Sequence, residues 1–419
     1  MHTFAVARAV RGIEPLVANE IRHSKTGVVR GVRHREVWFE ARPDADLLAL
    51  RTADDVLLAA AVVDGVGSGR AALLRLARAA REVDARLLGS PGSGVEVSAS
   101  FVGRRNYTRF EVEDAVGAEL ARPLRVPYHS RRDGRRPPGG AMAWRVTIEG
   151  EQAVIAVRVA GRPLHRRAYK TASVRGTLHP PVAAAMARLA RLDEGLTVVD
   201  PCCGAGTTLI EMAALAGGSP GGGAGMRLLG FDHDPAAVAA ATANACAAAA
   251  ASGTPGPRDA HSAIRADSTA HTGSAARTPS AARVANAGAA NARAGNTGAG
   301  NTGDAGAAGE APPEAQPLRL AWAIADGGRI PLGDGAADRV LVNPPWGRQV
   351  PPAGLLSQDP AALWREVRRV LSPGGLAVAL VHDGVPPGFT VEEVLEVSLS
   401  GQHPLITVLS RRRARASRG

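Results

Sequence analysis

Arg339-Val340-Leu341-Val342-Asn343-Pro344-Pro345-Trp346 is an apolar strand that runs directly into an amide, two prolines and an indole. Consecutive prolines donate no backbone hydrogen bonds and hold φ at about −65°. The carbonyls around them therefore point outward without ladder partners. The Asn343 amide adds another acceptor, and Trp346 offers a flat stacking surface. Together these groups suit a planar base with an exocyclic amine: two acceptors take its N–H groups and the ring covers its face. The plainer alternative is a strand ending in a proline turn before a buried indole. The pattern upstream decides between the two.

From Gly195 onward an apolar strand, a glycine loop and a helix recur in that order. Strands are predicted at 196–199, 227–231, 318–325, 339–342 and 375–381, with helices at 207–215, 235–251 and 361–371. Such alternation predicts an α/β domain, a Rossmann-like parallel sheet with helices on both faces. Segments 394–399 and 405–410, around Gly401-Gln402-His403-Pro404, predict a closing hairpin. Two stretches interrupt the pattern. Residues 217–225 read as a short flexible loop. Residues 252–317, rich in Ala, Gly, Asn, Thr and Pro, read as a disordered insertion, because they cannot bury enough apolar surface to order themselves. Both lie between a helix and the next strand. Ligands of open α/β sheets bind at the carboxyl ends of the strands, so a site there is expected to be untouched.

Each strand end in the second half carries a suitable polar group. Asp200-Pro201-Cys202-Cys203-Gly204-Ala205-Gly206-Thr207 follows the first strand and opens a helix. Gly204 and Gly206 permit close backbone approach, and the helix start presents free N–H groups to an anionic moiety. The spacing is neither the dinucleotide fingerprint nor a phosphate loop. A carboxylate here repels pyrophosphate but suits a cation. S-adenosylmethionine fits, its carboxylate meeting the amides and its charged amine and sulfonium near Asp200. Asp232, at the second strand end, is placed to accept ribose hydroxyls, and His233 to flank the adenine. Asp326-Gly327, at the third, is placed to accept from the adenine amine. Cys203, Thr207 and Asn343 complete the expected cofactor set.

The bulk numbers agree with a globular chain of 419 residues and 45% hydrophobic content. Three cysteines, two of them adjacent, offer no zinc spacing and no disulfide framework, which favours a reducing, cytoplasmic setting. Nothing reads as a signal peptide or a membrane span, and no metal is implied. The net charge of +11 is uneven: residues 1–180 hold 30 Lys+Arg against 19 Asp+Glu, and the remainder is neutral. A basic first half beside a neutral second half points to one part that holds a polyanion and another that performs chemistry.

Residues 1–160 read as α+β with antiparallel elements in two small units. Strands are predicted at 3–9, 36–40 and 94–102, helices at 13–23, 44–53, 71–83 and 112–121, and a hairpin around Glu149-Gly150. Arg104, Arg105 and Arg109 around Tyr107 are the leading candidates for phosphate contact. Arg131-Arg132, Arg135-Arg136 and the tail at 411–415 follow them.

Residues 166–410 resemble the class I, Rossmann-like S-adenosylmethionine-dependent methyltransferases of the amino-group type, whose signature is (D/N/S)-P-P-(Y/F/W). Residues 1–165 resemble the ferredoxin-like plus THUMP region of RNA methyltransferases, through Arg11-Gly12-Ile13-Glu14-Pro15-Leu16 and the run from Arg104 to Val116. The combination is similar to THUMP-family tRNA guanine-N2 methyltransferases, and 23S rRNA guanine-N2 enzymes share the motifs. The resemblance implies a seven-stranded, mostly parallel catalytic sheet, S-adenosylmethionine as cofactor and RNA as partner.

The reaction expected is in-line attack by an exocyclic base amine on a sulfonium methyl. Asn343 and the Pro344 carbonyl hold the amine, Pro345 keeps the loop rigid and Trp346 stacks on a flipped base. No cysteine nucleophile is needed. Competing readings are a DNA adenine or protein glutamine methyltransferase, and a noncatalytic RNA-binding protein with a retained methyltransferase fold.

Overall fold

The computed structural model describes residues 3–84, 92–217, 225–252, 258–259, 318–345, 347, 350–382 and 384–412. Trp346, most of the 217–225 loop, the 252–317 insertion apart from three residues, and the tail beyond Arg412 lie outside the described residues.

The first half contains β1 (Thr3–Arg8), α1 (Glu14–His23), β2 (Gly27–Arg33), β3 (Glu36–Ala41), β4 (Asp55–Val63), α2 (Ala71–Arg81), β5 (Val95–Phe101), α3 (Arg109–Leu124), β6 (Met142–Glu149) and β7 (Gln152–Arg158). Two small units were expected. Instead a single seven-stranded sheet runs β2-β3-β1-β4-β7-β6-β5. The antiparallel β4–β7 ladder, from Leu57 opposite Arg158 to Val63 opposite Ala153, joins the two groups of strands. The β5–β6 pair is parallel.

Residues 44–53 are not the expected helix but one 3₁₀ turn, Leu47–Ala49. The buried Glu20 explains this, because its two oxygens accept from the Arg51 and Thr52 N–H groups at 3.0 and 2.8 Å. Those N–H groups would otherwise extend a helix.

The second half contains α4 (Pro180–Leu189), β8 (Thr197–Asp200), α5 (Thr207–Gly217), β9 (Arg227–Asp232), α6 (Pro235–Ser252), β10 (Arg258–Asp259), β11 (Arg319–Ile324), β12 (Ala337–Val342), α7 (Leu355–Gln358), α8 (Ala361–Val370), β13 (Leu371–Val381), β14 (Phe389–Glu396) and β15 (Leu405–Arg411). Its sheet order is β10-β11-β9-β8-β12-β13-β15-β14. All neighbours are parallel until β15, which is antiparallel to both β13 and β14. Seven strands were expected. The eighth is the two-residue β10, which pairs with β11 from within the stretch read as disordered. The order reverses between β8 and β12, and such a switch point opens a crevice at the strand C-termini.

The halves share one core. Ile13 at the start of α1 and Val17 and Ile21 within it pack in the same buried cluster as Val182 and Met186 of α4 and Leu209 of α5. Beside it the fully buried Glu211 pairs with Arg51 at 2.7 Å and Arg167 at 2.9 Å, and accepts from the Tyr169 hydroxyl at 2.8 Å. One carboxylate thus ties a first-half loop and the interdomain segment to α5.

Candidate active site

A cavity of about 450 Å³ opens at the β8/β12 switch point. Asp200, Asp232, Asp326 and Asn343, from four strand ends, all line it, together with Pro344 and Pro345. The spatial convergence read from the sequence is therefore present.

Most of the acidic side chains shape the loops. Asp200 accepts from the Cys202 N–H at 3.0 Å and from the Thr208 hydroxyl. Burial, assisted by the neighbouring Asp232, pushes its carboxyl up to about 7. Asp232 accepts from Gly204 N–H at 2.9 Å and Asp234 N–H at 3.0 Å, which locks the glycine loop to the end of β9. His233 is half exposed beside Asp232, with Nδ1 3.3 Å from it. Asp326 accepts from Gly328 N–H and Leu355 N–H, each at 2.8 Å. Its first task is to hold the loop before α7, and one lone pair per oxygen remains for a ligand.

The glycine loop is backed by an indole. Gly206 has φ +78°, and a Cβ there would stand 2.7 Å from the Trp322 ring. A Cβ on Gly230 would stand 2.2 Å from the same ring. Gly204 and Gly327 line the cavity directly. Thr207, at the start of α5, also lines it, and its buried hydroxyl has no hydrogen-bond partner among the described residues. A helix start with an orphaned hydroxyl and a glycine approach suits a ligand carboxylate. Burial pushes the Cys202 and Cys203 thiols well above the ordinary range, so neither is a thiolate nucleophile at neutral pH.

Asn343 is half-buried. Its Nδ2 donates to the Gly176 carbonyl at 3.4 Å, which turns the amide oxygen away from that carbonyl. The wall that orients it was not foreseen. Residues 170–179 cross the cavity, and Asn244, fully buried in α6, anchors them. Its amide accepts from Thr171 N–H and Ala172 N–H at 2.9 Å and donates to the Ala172 and Ala205 carbonyls at 2.9 and 3.0 Å. The signal was a lone amide inside an alanine-rich helix. The tip of the β14–β15 hairpin, Leu399 to Gln402, closes the far side, with Ser400 and Gly401 both at positive φ.

The expected RNA-contact run divides. Tyr107 is buried, and its hydroxyl donates to the Gly67 carbonyl at 3.1 Å. Arg105 donates to the Val66, Gly67 and Gly150 carbonyls. Both serve the packing of the first half, and Tyr107 is closed off from solvent while Arg105 is part-exposed. Arg104 and Arg109 are exposed, the latter over the Phe110 ring at 4.6 Å.

Residues 167–254 match the family described as RMKL-like, methyltransferase domain. A tRNA (guanine(6)-N2)-methyltransferase of Thermus thermophilus is 40% identical over 121 residues, 29% of this chain and 34% of that protein. Ribosomal RNA large subunit methyltransferase K/L of Aliivibrio fischeri is 38% identical over 69 residues, 16% of this chain and 10% of that one. The matched stretches thus span about a third or less of these relatives. Among solved structures, TrmN from Thermus thermophilus superimposes with a TM-score of 0.67 at 25% identity, over 98% of this chain and 100% of that one. SMU.472, crystallised with SAH, shares the fold at a TM-score of 0.59 and 14% identity, over 99% and 100% of the two chains. The second half of the chain has the class I methyltransferase fold, and its cavity occupies the switch point of that fold. No helix among the described residues is long and apolar enough to cross a membrane.

Proposed function

We propose that the chain is an S-adenosylmethionine-dependent RNA methyltransferase that modifies the exocyclic N2 amine of guanine, with tRNA as substrate. The observation that carries this reading is the meeting of Asn343-Pro344-Pro345 with the glycine loop in one cavity. The relatives' names supply the nucleobase and the RNA class.

When bound, the cofactor supplies a methyl group already activated by its sulfonium. The Thr207 hydroxyl and the start of α5 would hold its carboxylate, and Asp232 and Asp326 would face its nucleoside. The Asn343 side-chain oxygen and the Pro344 carbonyl would accept the two N–H groups of the target amine and so orient its lone pair. Because Gly176 fixes the Asn343 amide, the acceptor is oriented before substrate arrives, and positioning supplies most of the acceleration. Trp346 takes the stacking role and Arg104 and Arg109 take phosphates, so binding weakens with salt. The likeness to the rRNA K/L enzymes favours rRNA as the second reading.

Comparing nucleosides from cells with and without this protein tests the proposal. Loss of N2-methylguanosine from tRNA supports it, loss from 23S rRNA alone moves the substrate to rRNA, and unchanged N2-methylguanosine in both refutes it.

A further inference from the structure

Asp54, His165 and His179 are separated by up to 125 residues in sequence, yet they meet where the first half joins the methyltransferase domain. His179 Nε2 stands 2.6 Å from Asp54 Oδ1. The two imidazole rings lie 5.2 Å apart, tilted by 38°. One ligand atom from each of the three residues lies within 4.8 Å of the others. His179 occupies the N-cap of α4 but makes no side-chain cap bond, so its ring is not committed to the helix start.

The backbone organises the same trio. His165 N–H donates to the Asp54 carbonyl at 3.0 Å, and Asp54 N–H donates to the Arg8 carbonyl at 2.7 Å. His165 Nδ1 lies 3.2 Å from the Asp54 carbonyl. Donation to that carbonyl sets the tautomer and leaves the Nε2 lone pair available, the arrangement that orients ligating histidines. The side chains of His179 and Asp54 are part-exposed, at 31% and 18%, so an ion has a route in.

We propose that Asp54, His165 and His179 form a zinc site that clamps the interdomain segment to the first-half sheet. Two imidazoles with one carboxylate match the three protein ligands of an open zinc centre, the fourth position being left to water. Two nitrogen ligands disfavour magnesium and calcium, which take oxygen. Bonds of about 2.0–2.2 Å in tetrahedral geometry bring ligand atoms to roughly 3.4 Å apart. Separations of up to 4.8 Å therefore close by as much as about 1.4 Å, and the 2.6 Å contact between His179 and Asp54 opens by about 0.8 Å, shifts that side-chain rotation supplies. Occupancy acts on the cavity through the chain: His179 lines it, and three residues upstream Gly176 holds Asn343. The metal site does not depend on the identity of the methyl acceptor.

The test uses the full-length chain, untagged and stripped of metal, titrated with zinc in competition with a chromophoric chelator. One bound equivalent is expected, with cobalt giving visible d–d bands of a four-coordinate site that zinc displaces. Asp54→Asn keeps a hydrogen-bonding group beside His179 and is expected to weaken zinc at least tenfold, as is His165→Ala; His403→Ala, at a half-exposed histidine outside the trio, leaves it unchanged. Imidazole nitrogen resonances of the unmutated protein give a readout independent of how the variants fold, and two histidines are expected to shift on zinc addition. Absence of a stoichiometric ion, unshifted imidazoles, or equal affinity in Asp54→Asn and wild type would overturn the site and leave only a hydrogen-bonded Asp54–His179 pair.

Discussion

Gly206→Ala separates backbone strain from steric conflict in the cofactor loop. The residue has φ +78°, where an L side chain costs about 1–2 kcal/mol. Its new methyl would meet Trp322 at 2.7 Å and the Ala241 methyl at 3.1 Å. Trp322 cannot retreat freely, because Gly230 packs against the same ring. Overpacking of that kind adds about 1–3 kcal/mol, so the total is about 2–5 kcal/mol. Ala205 and Thr207 on either side of Gly206 line the cavity, so relief of the clash displaces the cofactor wall. If about 1.4 kcal/mol of the strain is relieved only by moving that wall, affinity falls about tenfold. Gly195→Ala is the control: φ is +71°, but nothing lies within 4 Å and the residue does not line the cavity. It should lose about 1–2 kcal/mol of stability with unchanged affinity. Calorimetric titration with S-adenosylhomocysteine and denaturant unfolding measure both quantities. Equal cofactor affinity in Gly206→Ala and wild type, or equal stability loss in the two variants, would refute the reasoning.

Asn343→Ala should lower turnover by about 100-fold or more, the scale of losing one preorganised polar group at a reacting centre, while leaving cofactor affinity nearly unchanged; parallel loss of both in kinetic and binding assays would contradict its role. Glu211→Gln removes the charge facing Arg51 and Arg167 and should cost about 3–5 kcal/mol in denaturant unfolding. An unaltered unfolding midpoint would show that the interdomain tie carries little stability. Asp200 has a folded pKa of about 7, raised from its ordinary 3.8. Between those values the folded state keeps a proton that the unfolded chain has released, so stability falls as pH rises through the window and levels off above about 7. Asp200→Asn should flatten that part of the profile, and an identical pH dependence in the variant would show that Asp200 ionises normally.

Strand ends in the second half were readable because side-chain periodicity, glycine loops and prolines are local signals. Asp200, Asp232, Asp326 and Asn343 each follow an apolar run, and a parallel sheet brings such positions to one edge. What the aspartates do there was less legible. A carboxylate that binds ligand and one that holds its own loop have the same spacing, and Asp326 reaches Leu355 across 29 residues. The run around Tyr107 misled because alternating Arg and aromatic residues look alike whether they face solvent or cap a core. Strand β4 was hidden by its continuous apolar stretch, and the β4–β7 ladder is a pairing across about 100 residues that no local pattern announces. Glu211 and Asn244 had a signal, a lone carboxylate and a lone amide inside apolar helices, but their partners come from distant segments.

Methyl transfer by the purified chain is the most direct measurement. Wild type and Asn343→Ala are incubated with isotopically labelled S-adenosylmethionine and unmodified tRNA, and the digested nucleosides are resolved by mass spectrometry. Label is expected in N2-methylguanosine with wild type and at background with Asn343→Ala. Label in N6-methyladenosine or in no nucleoside, from a protein that binds the cofactor, would contradict the assignment of the cavity to guanine N2.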